Sequence, residues 1–184
     1  MTRRPVHFGL GDLESRFGVL VTADAGLTDE EGPPPGPVTY VHAGEVATTP
    51  AGALFSTVLG SCVSVCVWDP ATGAGGMNHF LLPDQVTAGA SSPRFGNVAF
   101  VTLLAQLGRL GVRAADLRAK VFGGASVLDA LVPPRDALGI RNIELARALL
   151  QAAGIGIVAE DVGGSHGRKL FFRTGDGAAW VRKL

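Results

Sequence analysis

Two short apolar runs with a turn between them constrain this chain more tightly than any other feature. Cys62-Val63-Ser64-Val65-Cys66-Val67-Trp68 is rich in β-branched residues and carries no charge, so it reads as a largely buried strand. Asp69-Pro70 opens a turn, and Gly73, Gly75 and Gly76 give the connection its conformational freedom. Met77 to Leu82 returns as a strand and Pro83 stops it. The pair predicts a hairpin that relates Cys62 to His79. If the connection is Asp69–Thr72, Cys62 faces His79 directly. If it is Asp69–Ala74, His79 faces Ser64 and lies two places along from Cys62 on the same sheet face. Both registers leave the two side chains within reach. A one-residue slip or a single bulge would put them on opposite faces. The residues do not choose between these connections.

Other periodicities fill in the fold. Val38–His42, Leu54–Leu59, Leu117–Phe122, Ile155–Asp161, Lys169–Arg173 and Ala178–Lys183 read as strands. Asn97 is placed to cap a helix through Leu110, with Gly111 closing it. A second helix is expected from about Asn142 to Ala153, closed by Gly154. Asp84–Gly96 reads as a loop. The expected class is α/β: a layered α/β sandwich with a mixed, largely antiparallel sheet and two main helices. Residues 1–37 stand apart as an N-terminal extension, expected to be poorly ordered, that ends in the acidic, Pro/Gly-rich Asp29–Pro37. The folded domain is expected over 38–184.

Composition removes several classes of function. Lys plus Arg and Asp plus Glu number 16 each, and charged residues make up 17% of the chain. No basic excess marks a nucleic-acid binder; Arg168, Lys169, Arg182 and Lys183 read as strand-flanking charge. No apolar run approaches the roughly 20 residues needed to span a bilayer, and no apolar segment follows the N-terminal arginines as in a secretory signal. Two cysteines make no disulfide framework. A reduced, cytoplasmic, monomeric protein without membrane insertion is expected.

The chemistry concentrates around Cys62. A cysteine nucleophile needs a base and donors for the oxyanion it creates. Gly60-Ser61 allows a sharp bend before Cys62 that would expose the sulfur and aim the Ser61 and Cys62 N–H groups outward, making Gly60 and Ser61 the candidate oxyanion turn. Cys66 reads as an inert core residue. A zinc set of His42, Cys62, Cys66 and His79 lacks the short-knuckle spacing of structural sites. Gly163-Gly164-Ser165-His166-Gly167-Arg168-Lys169 lacks the spacing of a phosphate-binding loop and leads into a strand, so it reads as a structural turn.

These residues together resemble the CheD family of chemoreceptor glutamine deamidases. The resemblance rests on Leu59-Gly60-Ser61-Cys62-Val63-Ser64-Val65-Cys66, Asp69-Pro70, Gly75-Gly76-Met77-Asn78-His79-Phe80-Leu81-Leu82-Pro83 and Phe122-Gly123-Gly124-Ala125. It continues through Gly139-Ile140-Arg141-Asn142, Asp161-Val162-Gly163-Gly164 and Gly167-Arg168-Lys169. It implies hydrolysis of receptor glutamine side chains to glutamate, a Cys-His-Thr triad on an α/β sandwich, no metal or organic cofactor, and a CheC-type phosphatase as partner. Cys62 and His79 match the nucleophile and base. Ser56 occupies the hydroxyl position six residues before the cysteine, where the family has threonine, and is the third catalytic candidate. Thr57, next to it, would point to the opposite face of the strand. The competing readings are a non-catalytic module that binds a CheC-type phosphatase, and another cysteine acyl-transfer enzyme such as a transglutaminase or peptidase.

Overall fold

A computed structural model describes residues 32–84, 92–126 and 137–184. The uncharged run becomes β4 (Val63–Trp68), the centre of a five-stranded sheet. It pairs antiparallel with β5 (Gly75–Asn78) and β6 (Arg118–Gly123). β2 (Val46–Thr49) extends the sheet beyond β5, and β7 (Gly156–Val162) lies parallel to β6. A second sheet has the order β1 (Val38–Tyr40), β3 (Leu54–Leu59), β8 (Arg168–Arg173), β9 (Ala179–Lys183). Its β1–β3 pair is parallel and the other pairs are antiparallel.

Every residue of β4 is buried because both of its faces are covered. Val63, Val65 and Val67 pack with Phe100 and Leu103 of α1 (Gly96–Arg109) and Ile143 and Leu150 of α2 (Leu138–Ala152). Cys66 and Trp68 face the other way and meet Phe55, Leu59, Leu170 and Phe172 of the second sheet. The result is three layers: sheet, sheet, helices. Each fully buried valine or leucine contributes about 1.5–3 kcal/mol by leaving water, and a charge at Val65 would forfeit that and add a burial penalty.

The expected layered α/β fold is present, with its strands divided between two sheets. The short β2 has no sequence signal, because Val46-Ala47-Thr48-Thr49 is an edge strand of intermediate burial without clear alternation. α2 starts at Leu138, one turn before the expected Asn142, so Gly139 and Arg141 lie inside the helix. At α1 the N-cap is Phe95; Asn97 lies in the first turn, where its Oδ1 accepts from the Val98 N–H at 2.8 Å. Gly111 and Gly154 follow their helices with φ of 84° and 68°, as a C′ glycine should. The reading of residues 1–31, and of residues 85–91 as loop, lies outside the described residues.

Candidate active site

The hairpin register places the two candidate side chains, Cys62 and His79. Cys66 pairs with Met77 and Trp68 with Gly75, and a bridge between Val63 and Phe80 keeps the same register further along. The longer connection, Asp69–Ala74, is therefore the one used. His79 falls opposite Ser64, with Cys62 two places along on the same face. Between the two ladder segments the Val65 N–H donates to Asn78 Oδ1 at 2.9 Å, and Ser64 Oγ donates to the Asn78 carbonyl at 2.6 Å. His79 is held from the other side: its N–H donates to the Glu45 carbonyl at 3.0 Å and its carbonyl accepts from the Gly44 N–H at 2.6 Å.

His79 is 4% exposed and its ring reaches across to β3. Nδ1 lies 2.8 Å from Thr57 Oγ1, and that hydroxyl donates to the Val41 carbonyl at 2.7 Å. A hydroxyl has one hydrogen. Since it goes to Val41, Thr57 accepts from His79, which puts the proton on Nδ1 and leaves Nε2 with a lone pair. Nε2 is buried and has no hydrogen-bond partner among the described residues. Cys62 packs against the same inter-sheet core, so sulfur and imidazole share one side of the sheet.

The expectation that Ser56 orients the imidazole is not what the geometry shows. Side chains alternate along a strand. Phe55, Thr57 and Leu59 of β3 turn toward the five-stranded sheet, with Phe55 and Leu59 in the inter-sheet core. Ser56 therefore points to the outer face, beside Tyr40 and Phe171 in the register, and its buried Oγ has no partner among the described residues. Ser56, six residues before the cysteine, and Thr57, five before it, fall on opposite sides of the pleat, and it is Thr57 that reaches His79.

The turn before Cys62 is anchored through its carbonyls. Gly60 O accepts from the Ala125 N–H at 2.8 Å, Ser61 O from Asn142 Nδ2 at 3.0 Å, and Cys62 O from the Gly124 N–H at 2.8 Å. In a trans peptide the next N–H points opposite to the carbonyl. The Ser61 and Cys62 N–H groups therefore point away from these anchors, and neither donates to another described residue. Gly123 makes the close approach possible: its φ is 108°, and a Cβ there would stand 2.2 Å from the Cys62 carbonyl oxygen.

Burial sets the protonation states. It pushes the Cys62 thiol up, partly opposed by the residue's own backbone N–H. It pushes His79 down, opposed by the Val41 carbonyl and the Glu45 carboxylate, with His42 adding to the depression. Both shifts favour the uncharged forms, a thiol at Cys62 and an imidazole at His79. Cys66 is fully enclosed, and burial pushes its thiol up to about 12. Its sulfur lies 3.7 Å from Ser64 Oγ. Among the described residues no three His, Cys, Asp or Glu side chains are gathered to hold a metal, so the set of His42, Cys62, Cys66 and His79 is not assembled. The Gly163-Gly164 segment is a turn organised through its carbonyls. Arg168 donates to the carbonyls of Gly163, Asp161 and Gly123, and the Ser126 N–H donates to Gly164. Sequence reasoning missed two residues here. Thr57 shares a strand face with Leu59, the one signal in the sequence that points to it, while Asn142 stands at the expected start of a helix and carries no local sign of its contacts.

Comparisons with known proteins converge on one family. The family described as CheD chemotactic sensory transduction matches residues 81–183, a segment that begins just after His79. A protein of Anaeromyxobacter dehalogenans, named "Probable chemoreceptor glutamine deamidase CheD 1", is 52% identical over 145 residues, covering 79% of this chain and 84% of that protein. Proteins named "Probable chemoreceptor glutamine deamidase CheD" from Rhodospirillum rubrum and Trichlorobacter lovleyi are 43% and 47% identical. They cover 80% and 65% of this chain, and 83% and 74% of their own lengths. Among the described residues no helix is long and apolar enough to cross a membrane.

Proposed function

The chain belongs to the CheD family, and from that premise we propose that it hydrolyses the side-chain amide of particular chemoreceptor glutamines to glutamate, with Cys62 as nucleophile. The observation that carries the reading is the relay from His79 Nδ1–H to Thr57 to the Val41 carbonyl, which leaves an unpartnered Nε2 on the inter-sheet side where Cys62 packs. Thr57, not Ser56, takes the third place.

In the proposed reaction Nε2 takes the thiol proton as sulfur attacks the carboxamide carbon. The carbonyl electrons move onto oxygen, and the Ser61 and Cys62 N–H groups face the resulting oxyanion. Collapse of the adduct expels nitrogen, which takes the proton from the imidazolium and leaves as ammonia. Nε2 then removes a proton from water as it attacks the thioester, and return of that proton to sulfur frees the carboxylic acid. Thr57 keeps Nδ1 protonated throughout, so Nε2 is always the atom that cycles.

The protein acts in the cytoplasm as a monomer, on the cytoplasmic part of the receptor, and a CheC-type phosphatase is its second partner. Mass spectrometry of a receptor cytoplasmic fragment, incubated with wild type and with Cys62→Ala, tests the reading. Wild type converts glutamine to glutamate at specific positions and the variant does not; conversion by Cys62→Ala overturns the assignment. An added primary amine separates this from transglutamination, because a deamidase yields mainly acid.

A further inference from the structure

We propose that Asn142 is a positioning residue that fixes the Ser61–Cys62 peptide plane and so aims the oxyanion-binding N–H of Cys62. The inference rests on the deamidase reading for its biological substrate, and on geometry alone for the role itself.

Asn142 is fully buried on α2. Its Nδ2 donates two hydrogen bonds, to the Ser61 carbonyl at 3.0 Å and to the Leu81 carbonyl at 2.9 Å. Ser61 immediately precedes the nucleophile, and Leu81 follows the base by two residues. Backbone pairing between these segments stops at the Val63–Phe80 bridge. Beyond it the strands part, and the N–H groups of Leu81 and Leu82 turn to the Arg94 carbonyl. The Asn142 carboxamide spans that fork.

Its hold on Ser61 bears directly on acyl transfer. The Ser61 carbonyl and the Cys62 N–H belong to one planar unit and point in opposite directions. Fixing the first fixes the second, and an oxyanion donor works only when its direction is set before the charge appears. The helix reaches this depth because Gly139, one turn earlier, touches Gly124 backbone to backbone; a Cβ there would stand 2.3 Å from the Gly124 oxygen. Asn142 Oδ1 is buried without a partner among the described residues.

The test separates oxyanion alignment from general integrity. Acylation of Cys62 by p-nitrophenyl acetate passes through a tetrahedral oxyanion, whereas its alkylation by iodoacetamide does not. In Asn142→Ala the acylation rate falls about 10²-fold, in the range for a lost oxyanion donor, while alkylation stays within about threefold of wild type. Asn142→Ser, which keeps one donor, recovers part of the acylation rate and serves as the second variant if Asn142→Ala does not fold. Leu150→Ala, a cavity on the same helix, lowers Tm and leaves the acylation rate of the folded protein unchanged. Acylation of Asn142→Ala at the wild-type rate, or acylation and alkylation falling in parallel, overturns the inference. Receptor glutamines unchanged by a wild type that p-nitrophenyl acetate acylates would overturn the deamidase reading alone. Wild-type acylation no faster than that of Cys62→Ala would overturn both.

Discussion

Cys62 and Cys66 stand four residues apart on one face of one ribbon, yet the fold gives them different chemistry. Cys66 sits in the middle of β4, sealed between the sheets with Met77 and Trp68. Its thiol is pushed up to about 12 by burial. Cys62 sits where the strand begins, partly exposed, with the Gly60-Ser61 turn on one side and the His79 segment on the other. Identical side chains become an inert filler and a candidate nucleophile because a sandwich has a sealed middle and open ends. Reactivity here follows position along the strand; which face the residue is on does not distinguish the two.

The largest effect expected from that contrast is on turnover. Cys62→Ala should lower deamidation by about 10⁴-fold or more, the scale for removing a nucleophile, while Cys66→Ala should retain it in the protein that folds. Rates of glutamate formation on a receptor fragment check this, and equal losses would erase the distinction. Iodoacetamide labelling comes next. At pH 8 a thiol at about 12 holds a thiolate fraction on the order of 10⁻⁴. Cys62, partly exposed at the strand end, should therefore label faster than Cys66 in the native protein, and at the same rate in denaturant. Peptide mapping after a labelling time course reads both sites.

A smaller step compares the neighbours on β3. Thr57→Val removes the acceptor for Nδ1–H and should lower kcat by about 10²-fold with KM little changed. Ser56→Ala deletes a buried oxygen that has no partner among the described residues and should leave kcat within about twofold and Tm unreduced. The opposite outcome would restore Ser56 to the triad.

The smallest effect is on pH dependence. His79 ionises below its ordinary value of 6.5. Between its folded value and 6.5, the unfolded chain binds more protons than the native one, so stability rises with pH and is lost as pH falls through that window. His79→Gln should flatten the urea midpoint against pH below 6.5 relative to wild type. The same depression, with the raised Cys62 thiol, should give deamidation a broad plateau across neutral pH, falling on the acid side only below 6.5.

Much of this was legible from residue order. The uncharged, β-branched run announced β4, the glycines after the helices announced their ends, and the hairpin offered two connections that keep Cys62 and His79 on one face, with the structure using the longer. The hydroxyl partner was not legible by counting from the cysteine, since the answer depends on how many residues the Gly60-Ser61 bend consumes. Nor was the start of α2: Gly139 signals a break in isolation and a close contact in the fold.

Local chemistry therefore specified most of the strands and the bodies of both helices, and singled out Cys62 and His79 as candidates, because periodicity and turn residues act over a few positions along the chain. Three things came from packing alone: the choice of Thr57 over Ser56, the orientation of the Ser61 and Cys62 amides, and the bridge made by Asn142. Each depends on a contact between segments from about 20 to 80 residues apart, and the direction of a hydrogen bond across that separation is set by how layers stack, which no short window of sequence encodes.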